Sequence, residues 1–173
     1  MKEEKLVTLL KELLRNSRRS DRELARAIDA SQPTVTRNRR ILDKYIRSYT
    51  VTPDFGRIGY EIMAITFAKA KSYGKEENEA KLKLARKWIE SHPNIVFSSD
   101  GEGLAKDVVF VSFHENYSKY AGFVREFSGS LADFFNDVQS FVVSLKTGVI
   151  LKPFDLATLA NDISQLQIEE DHP

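Results

Sequence analysis

Residues 32–44 carry the side chains whose chemistry is clearest, in a segment that reads QPTVTRNRRILDK. At about 100° per residue, a helix that turns Val35 and Leu42 inward places its cations on the opposite face. That outward set is Arg37, Arg40 and Lys44. Arginine can bind the O6 and N7 acceptors of guanine with two hydrogen bonds, whereas lysine mostly holds phosphate. The pattern therefore favours contact with DNA.

Polar side chains at the start of the same helix extend this surface. Gln32 and Thr34 lie in the first turn, where a side chain can reach a base edge, and Thr36 lies at the border of the outward face. A charged outer face is also common on helices that only meet solvent. The elements around the helix must decide between the two interpretations.

Two further short helices are predicted before this one, with start signals for the second and third. Residues 3–16 repeat leucine at helical spacing, and Ser20-Asp21-Arg22-Glu23 has the pattern of a capping box. Ser31 caps the third helix, and Pro33 fits its first turn because a missing N–H costs nothing there. Three helices with a tight turn before the last are typical of a helix-turn-helix domain. Arg18 and Arg19, in the loop before the second helix, are candidate phosphate ligands or ordinary solvated residues.

The charge is divided unevenly along the 173 residues. Residues 1–60 hold 14 lysines and arginines against 8 acidic residues, and the remainder holds 12 against 17. A basic N-terminal third suits a phosphate backbone. Cysteine is absent, which excludes disulfides and thiolate chemistry, and we expect a cytoplasmic protein without a signal peptide or membrane span.

The rest of the chain alternates between strand and helix patterns. Residues 45–53 predict a short strand, the wing of a winged helix, and residues 54–59 a hinge. Residues 60–150 predict the order βαββαβ, which is that of a ferredoxin-like domain with both helices on one sheet face. The fold class is therefore α+β: a helix-turn-helix domain over 1–53, the ferredoxin-like domain, and a helical tail over 151–173.

The predicted sheet leaves one apolar face uncovered. Met63, Ile65 and Phe67 alternate along the first strand and would point away from the helices. A second copy of the chain is the simplest cover, so we expect a homodimer or a higher homo-oligomer.

Two stretches of the sequence resemble the Lrp/AsnC family of feast/famine, or leucine-responsive, regulators. They read SDRELARAIDASQPTVTRNRRILDKYI and RSYTVTPDFGRIGYEI. The resemblance covers about residues 1–150 and implies a dimeric transcription regulator that binds near-palindromic double-stranded DNA. The chain departs from the family at Arg39, where members usually have an apolar residue.

The same resemblance implies an amino acid or similar effector at the turn between the second and third strands. Asp100, Gly101, Gly103 and Asp107 lie there. Glycine lets backbone amides approach a carboxylate, and an acidic side chain could meet an ammonium group. An ordinary hairpin turn, with Asp107 capping a strand, explains the same residues.

Two other functions remain open. Siroheme decarboxylases share this architecture, so an enzyme is conceivable, but His92, His114 and His172 show no ligand spacing and we predict neither catalytic residues nor a metal or cofactor. An effector-free architectural DNA binder would keep the helix-turn-helix and respond to no ligand.

Overall fold

The computed structural model describes residues 2–71 and 75–165, whose contacts divide into two compact units. Residues 2–52 and 152–165 form the first unit, and Pro53–Leu151 forms the second. Residues 54–59, the predicted hinge, thus lie within the second unit. In the described part of the chain no helix is long and apolar enough to cross a membrane.

The first unit is built on the three predicted helices, α1 (Lys2–Arg15), α2 (Asp21–Ala27) and α3 (Gln32–Leu42). Their inward faces meet in one apolar cluster, made of Leu6, Leu9, Leu13, Leu24, Ala25, Ile28, Val35 and Leu42. Leu24, Val35 and Leu42 are completely buried. The helical spacing of these residues is what brings the three helices together.

Both predicted caps are confirmed. The Ser20 hydroxyl accepts a hydrogen bond from the Glu23 backbone N–H at 3.3 Å, and the Glu23 carboxylate accepts one from the Ser20 N–H at 2.8 Å. The Ser31 hydroxyl accepts from the Thr34 N–H at 3.4 Å. Asp29 takes a φ of 47° between the helices, a conformation that Asp tolerates better than most residues. These contacts fix the tight turn before α3.

The predicted wing strand over 45–53 is wrong for this chain. Residues 43–45 form a turn at the end of α3, and residues 46–54 run without a strand partner. A strand needs a neighbour for its backbone N–H and C=O groups, and the first unit offers no other strand among its described residues. The segment is held by side chains instead, since the Tyr49 hydroxyl donates to the Asp43 carboxylate at 2.8 Å.

The tail differs from the predicted helix. Leu156–Asn161 form a 3₁₀ helix that contacts α1. Because residues three apart eclipse in such a helix, Leu156 and Leu159 share an exposed side and Ala160 is fully buried. Arg15 also donates to the Asn161 side-chain oxygen at 3.1 Å. Residues 166–173 of the predicted helical tail lie outside the described residues.

Removing residues 152–173 should destabilise the first unit, because the surface of α1 under Ala160 becomes exposed. We expect a loss of about 1–3 kcal/mol in the free energy of unfolding of that unit. Thermal unfolding followed by circular dichroism would measure it. Truncation after Gln165 is the matched control, and equal melting of both truncated chains would contradict a stabilising role for residues 156–161.

The second unit has the predicted βαββαβ order. Its strands are β1 (Ile62–Ala70), β2 (Ile95–Gly103), β3 (Lys106–His114) and β4 (Phe135–Ser144), and its helices are α4 (Lys75–Glu90) and α5 (Tyr117–Ser130). The sheet is antiparallel with strand order β2-β3-β1-β4. The ferredoxin-like fold is therefore confirmed.

One face of the sheet packs against the helices. Ala64, Thr66 and Ala68 alternate along β1 and are completely buried. Phe110 on β3 contacts Phe127 of α5, with ring centroids 5.0 Å apart. The small residues on β1 leave room for these aromatic rings, which make up most of the core.

The opposite face is largely uncovered within the single chain. Strand register places Phe97, Val111, Ile65 and Phe141 in one row across all four strands. Directly opposed residues share a face, and Phe97 and Phe141 are 54% and 67% exposed. We call this row the open sheet face. One border of this face, near the end of β3, is covered by the Phe55 ring. That ring stacks on Phe113, with the two ring centroids 4.1 Å apart.

Candidate nucleic-acid interface

The exposed face of α3 has the composition that the helical wheel predicts. Gln32, Pro33, Arg37 and Arg40 are exposed and, with Thr36, line an open depression of about 360 Å³. No carboxylate lines it, so two guanidinium groups and one carboxamide face the same space. Such a surface presents hydrogen-bond donors to base edges and phosphates.

The two threonines near this depression have partners inside the protein. The Thr36 hydroxyl donates to the Asp21 carboxylate at 2.6 Å, and the Thr34 hydroxyl lies 2.8 Å from that of Ser31. Both hydroxyls therefore help to hold α3 in place. A base contact by either threonine would have to share a hydroxyl that is already hydrogen-bonded.

The remaining cations that the sequence singles out lie at the ends of the helices. Lys44 is exposed in the turn beyond the end of α3, two residues after Leu42. Arg18 is exposed before α2, whereas Arg19 is ion-paired with Glu12 of α1. Arg19 would have to give up that pair to bind a phosphate.

Arg39 makes a set of contacts that the sequence does not reveal. Its guanidinium forms an ion pair with Asp21 at 2.7 Å and donates to the Ser17 carbonyl at 3.5 Å. Its Cζ also lies 5.7 Å from the centre of the Tyr49 ring. We call Asp21, Thr36 and Arg39 the Asp21 clamp. It ties the first turn of α2 to the middle of α3, and so it fixes the angle at which α3 presents its outward face.

The Asp21 clamp makes stability depend on pH. The Thr36 hydroxyl and then the Arg39 guanidinium lower the pKa of Asp21 from its ordinary value of 3.8. A carboxyl with a depressed pKa in the folded state stabilises the fold fully above its unfolded pKa, and this contribution disappears as the pH falls through the folded value.

Replacing Asp21→Asn should therefore destabilise the first unit at pH 7 and have little effect at pH 2. We expect about 1–2 kcal/mol at pH 7, because hydrogen bonds to a charged group are stronger than neutral ones. Chemical unfolding at both pH values measures the difference. Asp162→Asn, an isosteric change at an exposed carboxylate of the same unit, is the control. An equal loss at both pH values would contradict the clamp.

The predicted effector residues lie on a hairpin of the second unit. Strand β2 continues through the predicted loop to Gly103, and the turn falls on Leu104 and Ala105, with φ of 54° and 55°. Gly101 and Gly103, which the sequence places in the turn, therefore belong to the strand. The Asp107 carboxylate accepts a hydrogen bond from the Ala70 N–H at 2.9 Å, which is a capping contact.

Gly101, Gly103 and Asp100 are exposed on the same hairpin. A side chain added at Gly101 or Gly103 would meet no atom within 4 Å, so the space beside both glycines is open. Gly103 has a φ of 156°, which an L side chain rarely adopts.

His92 and His114, considered for an enzyme, line a common cleft of the second unit with Glu115 and Glu126. His92 lies 3.1 Å from the Glu126 carboxylate, and His114 is buried. His172 lies outside the described residues. Among residues 2–71 and 75–165, no group of three metal-binding side chains is placed to hold an ion.

Comparisons with known proteins place the fold. No family profile matches the chain. The HTH-type transcriptional regulator LrpC of Bacillus subtilis strain 168 is 32% identical over 93 residues, which are 53% of this chain and 60% of LrpC. The aligned stretch thus spans less than two thirds of LrpC. The solved structure of B. subtilis LrpC superimposes with a TM-score of 0.64 at 25% identity and covers 86% of this chain and 96% of that one.

The chain is similar in sequence and in fold to LrpC, a transcriptional regulator. Two more distant structures have the same fold. NMB0573 of Neisseria meningitidis, solved in complex with L-Met, gives a TM-score of 0.73 at 15% identity over 86% of this chain and 94% of its own. AsnC of Escherichia coli gives 0.65 at 14% identity over 87% and 95%.

Proposed function

We propose that the chain is a sequence-specific, DNA-binding transcription regulator that acts as a homodimer. The outward face of α3 supports this most directly, because Gln32, Arg37 and Arg40 line one depression to which no described carboxylate contributes a wall. The similarity to LrpC, whose name is that of a transcriptional regulator, supports the same class. This function requires no catalytic residue, metal or cofactor.

Different residues of the first unit would contact different parts of the DNA. Arg37, Arg40 and Gln32 would meet base edges, since they are exposed on the helix that enters the groove in this kind of domain. Lys44 and Arg18 would hold phosphates from the two ends. Thr34, Thr36 and Arg19 would act chiefly by keeping α3 and the preceding loop in place, because their side chains already have partners.

The open sheet face would join two copies. A two-fold dimer uses the same patch on both chains, and the row through Ile65 and Phe141 is apolar along its length. Pairing two chains supplies two reading helices, which suits a near-palindromic site.

A small effector would regulate the dimer. The hairpin with Asp100, Gly101, Gly103 and Asp107 is the location that the family resemblance implies. NMB0573 was solved with L-Met bound, which supports an amino acid as the class of ligand. An effector-free architectural binder would bind DNA in the same way and show no response.

Selection from a random duplex library, followed by fluorescence anisotropy, tests the proposal. A regulator should bind its selected duplex about 10³-fold or more tightly than a scrambled one, with an affinity that falls as salt rises. Equal affinity for both duplexes would favour the architectural binder, and absence of binding at low salt would refute both.

A further inference from the structure

A cleft of about 540 Å³ opens on the second unit beside the end of β3 and the start of α5. It shares no residue with the hairpin over 100–107. The polar groups that matter here are His92, His114, Glu115, Ser118, Lys119 and Glu126. Aromatic residues, among them Tyr60 and Phe123, complete its lining.

His114 is the feature that an ordinary surface depression does not explain. The residue is only 4% exposed, and its Nε2 lies 2.9 Å from the Ser112 hydroxyl. Its other ring nitrogen, Nδ1, has no hydrogen bond to any described residue. Buried polar groups are normally paired. No fully enclosed side-chain nitrogen or oxygen in the described chain lacks a partner, so Nδ1 is not fully enclosed, and the cleft is the space that His114 lines.

His114 is also uncharged at neutral pH. Burial lowers its pKa below the ordinary value of 6.5. Phe123 packs beside it, with ring centroids 5.0 Å apart. The inner wall of the cleft is therefore aromatic and neutral, with one hydrogen-bonding nitrogen available to a ligand.

The mouth of the cleft carries exposed charges of both signs. Glu115 and Lys119 are exposed four residues apart, at the start of α5. Their side chains make no ion pair with each other or with another described residue. The second acid, Glu126, is held by His92, whose Nδ1 lies 2.6 Å from the Trp88 carbonyl.

We propose that this cleft binds a small zwitterion with an apolar body. Lys119, with the Ser118 hydroxyl, would bind the carboxylate, and Glu115 would bind the ammonium group. The apolar body would lie against the rings of His114 and Phe123, within reach of His114 Nδ1. A ligand with a single charge would leave either Lys119 or Glu115 unpaired and should bind less well.

The cleft is a second candidate site for the effector of the proposed regulator. Only the expected effect of the ligand on DNA binding rests on the proposed function. Ligand binding is therefore measured without DNA. The chain has three histidines, so ring NMR signals can report His114 separately once a His114→Gln variant assigns them.

The full chain would be titrated with each of the twenty standard amino acids. At least one should shift the His114 ring signal saturably at millimolar concentration or below. Two compounds serve as single-charge controls: the carboxylic acid and the amine that carry the same side chain as the best-binding amino acid. Each should bind at least tenfold more weakly than that amino acid. Absence of a saturable His114 shift with every amino acid would overturn the proposal, as would equal affinity for the single-charge controls.

Variants separate the cleft from the hairpin. Lys119→Ala and Glu115→Ala should each weaken the best-binding amino acid at least tenfold, whereas Arg125→Ala, an exposed position on the same helix outside the cleft, should not. Loss of binding with Asp107→Ala but not with Lys119→Ala would move the site to the hairpin and overturn the proposal. A chain that binds zwitterions but no DNA would keep the cleft and refute the proposed function.

Discussion

A chain carrying Phe141→Asp is expected to be monomeric at concentrations where we expect the unmodified chain to form a dimer. Phe141 is 67% exposed in the single chain, so the new carboxylate remains in water and the fold should survive. In the proposed dimer it would be buried at the interface, where an unpaired charge costs several kcal/mol. Two-fold symmetry places it there twice, so we expect the dimer to weaken by at least about 100-fold.

Sedimentation equilibrium over a range of about 1–100 µM would measure this change. We expect an apolar face that crosses all four strands to associate near micromolar concentration or below, so the range covers the expected dissociation. Leu82→Asp is the matched control. Leu82 is 62% exposed on α4, on the helical side of the unit and away from the open sheet face. A monomeric unmodified chain at these concentrations would refute the dimer, and dimers of equal strength in both variants would place the interface elsewhere.

Local sequence signals predict most of the fold correctly. The capping box at Ser20–Glu23 and the cap at Ser31 are read from neighbouring residues, because a cap is a contact over three positions. The alternation of Met63, Ile65 and Phe67 likewise predicts which side of β1 lies away from the helices. Such contacts join residues that are close together in the sequence, so their pattern is visible without a structure.

Contacts between distant residues are what the sequence does not reveal. Arg39 stands where the resemblance to the Lrp/AsnC family implies an apolar residue, but the sequence does not show which residues Arg39 contacts. Its partner Asp21 is 18 positions away. The hydroxyls of Thr34 and Thr36 illustrate the same limit, since the helical wheel places them near the outward face but cannot show that each already has a partner.

Turn chemistry explains the errors on the hairpin and the tail. The glycines at 101 and 103 predict a turn, but β2 continues through them and the turn falls on Leu104 and Ala105, residues that seldom adopt a positive φ. In the tail, the spacing of Leu156 and Leu159 fits an α-helix, yet the segment forms a 3₁₀ helix that buries Ala160 against α1. In the tail, the contact with α1 decides the outcome.

The outward cations of α3 should carry most of the affinity for DNA. Arg37 and Arg40 are exposed and line the same depression. Arg40→Ala should weaken binding to the selected duplex by about 1–3 kcal/mol if Arg40 holds a base, and the double variant Arg37→Ala/Arg40→Ala should lose more. The fold should change little, because neither side chain is buried.

The form of the loss identifies the kind of contact. If Arg40 binds a base edge, its removal relaxes the preference at one position of the duplex and leaves the salt dependence nearly unchanged. If it binds a phosphate, affinity falls for all sequences, and the slope of log affinity against log salt becomes shallower by about one. Anisotropy titrations on single-base variants of the duplex, at several salt concentrations, distinguish the two.

Arg86→Ala provides the control for the loss of one positive charge, because Arg86 is exposed on α4 of the second unit. Its removal should change affinity only slightly, through the overall charge of the chain. Circular dichroism must show that every variant is folded. If folded Arg37→Ala and Arg40→Ala chains both bind the selected duplex as tightly as Arg86→Ala does, α3 does not read DNA with this face, because its two exposed guanidinium groups would then contribute nothing specific.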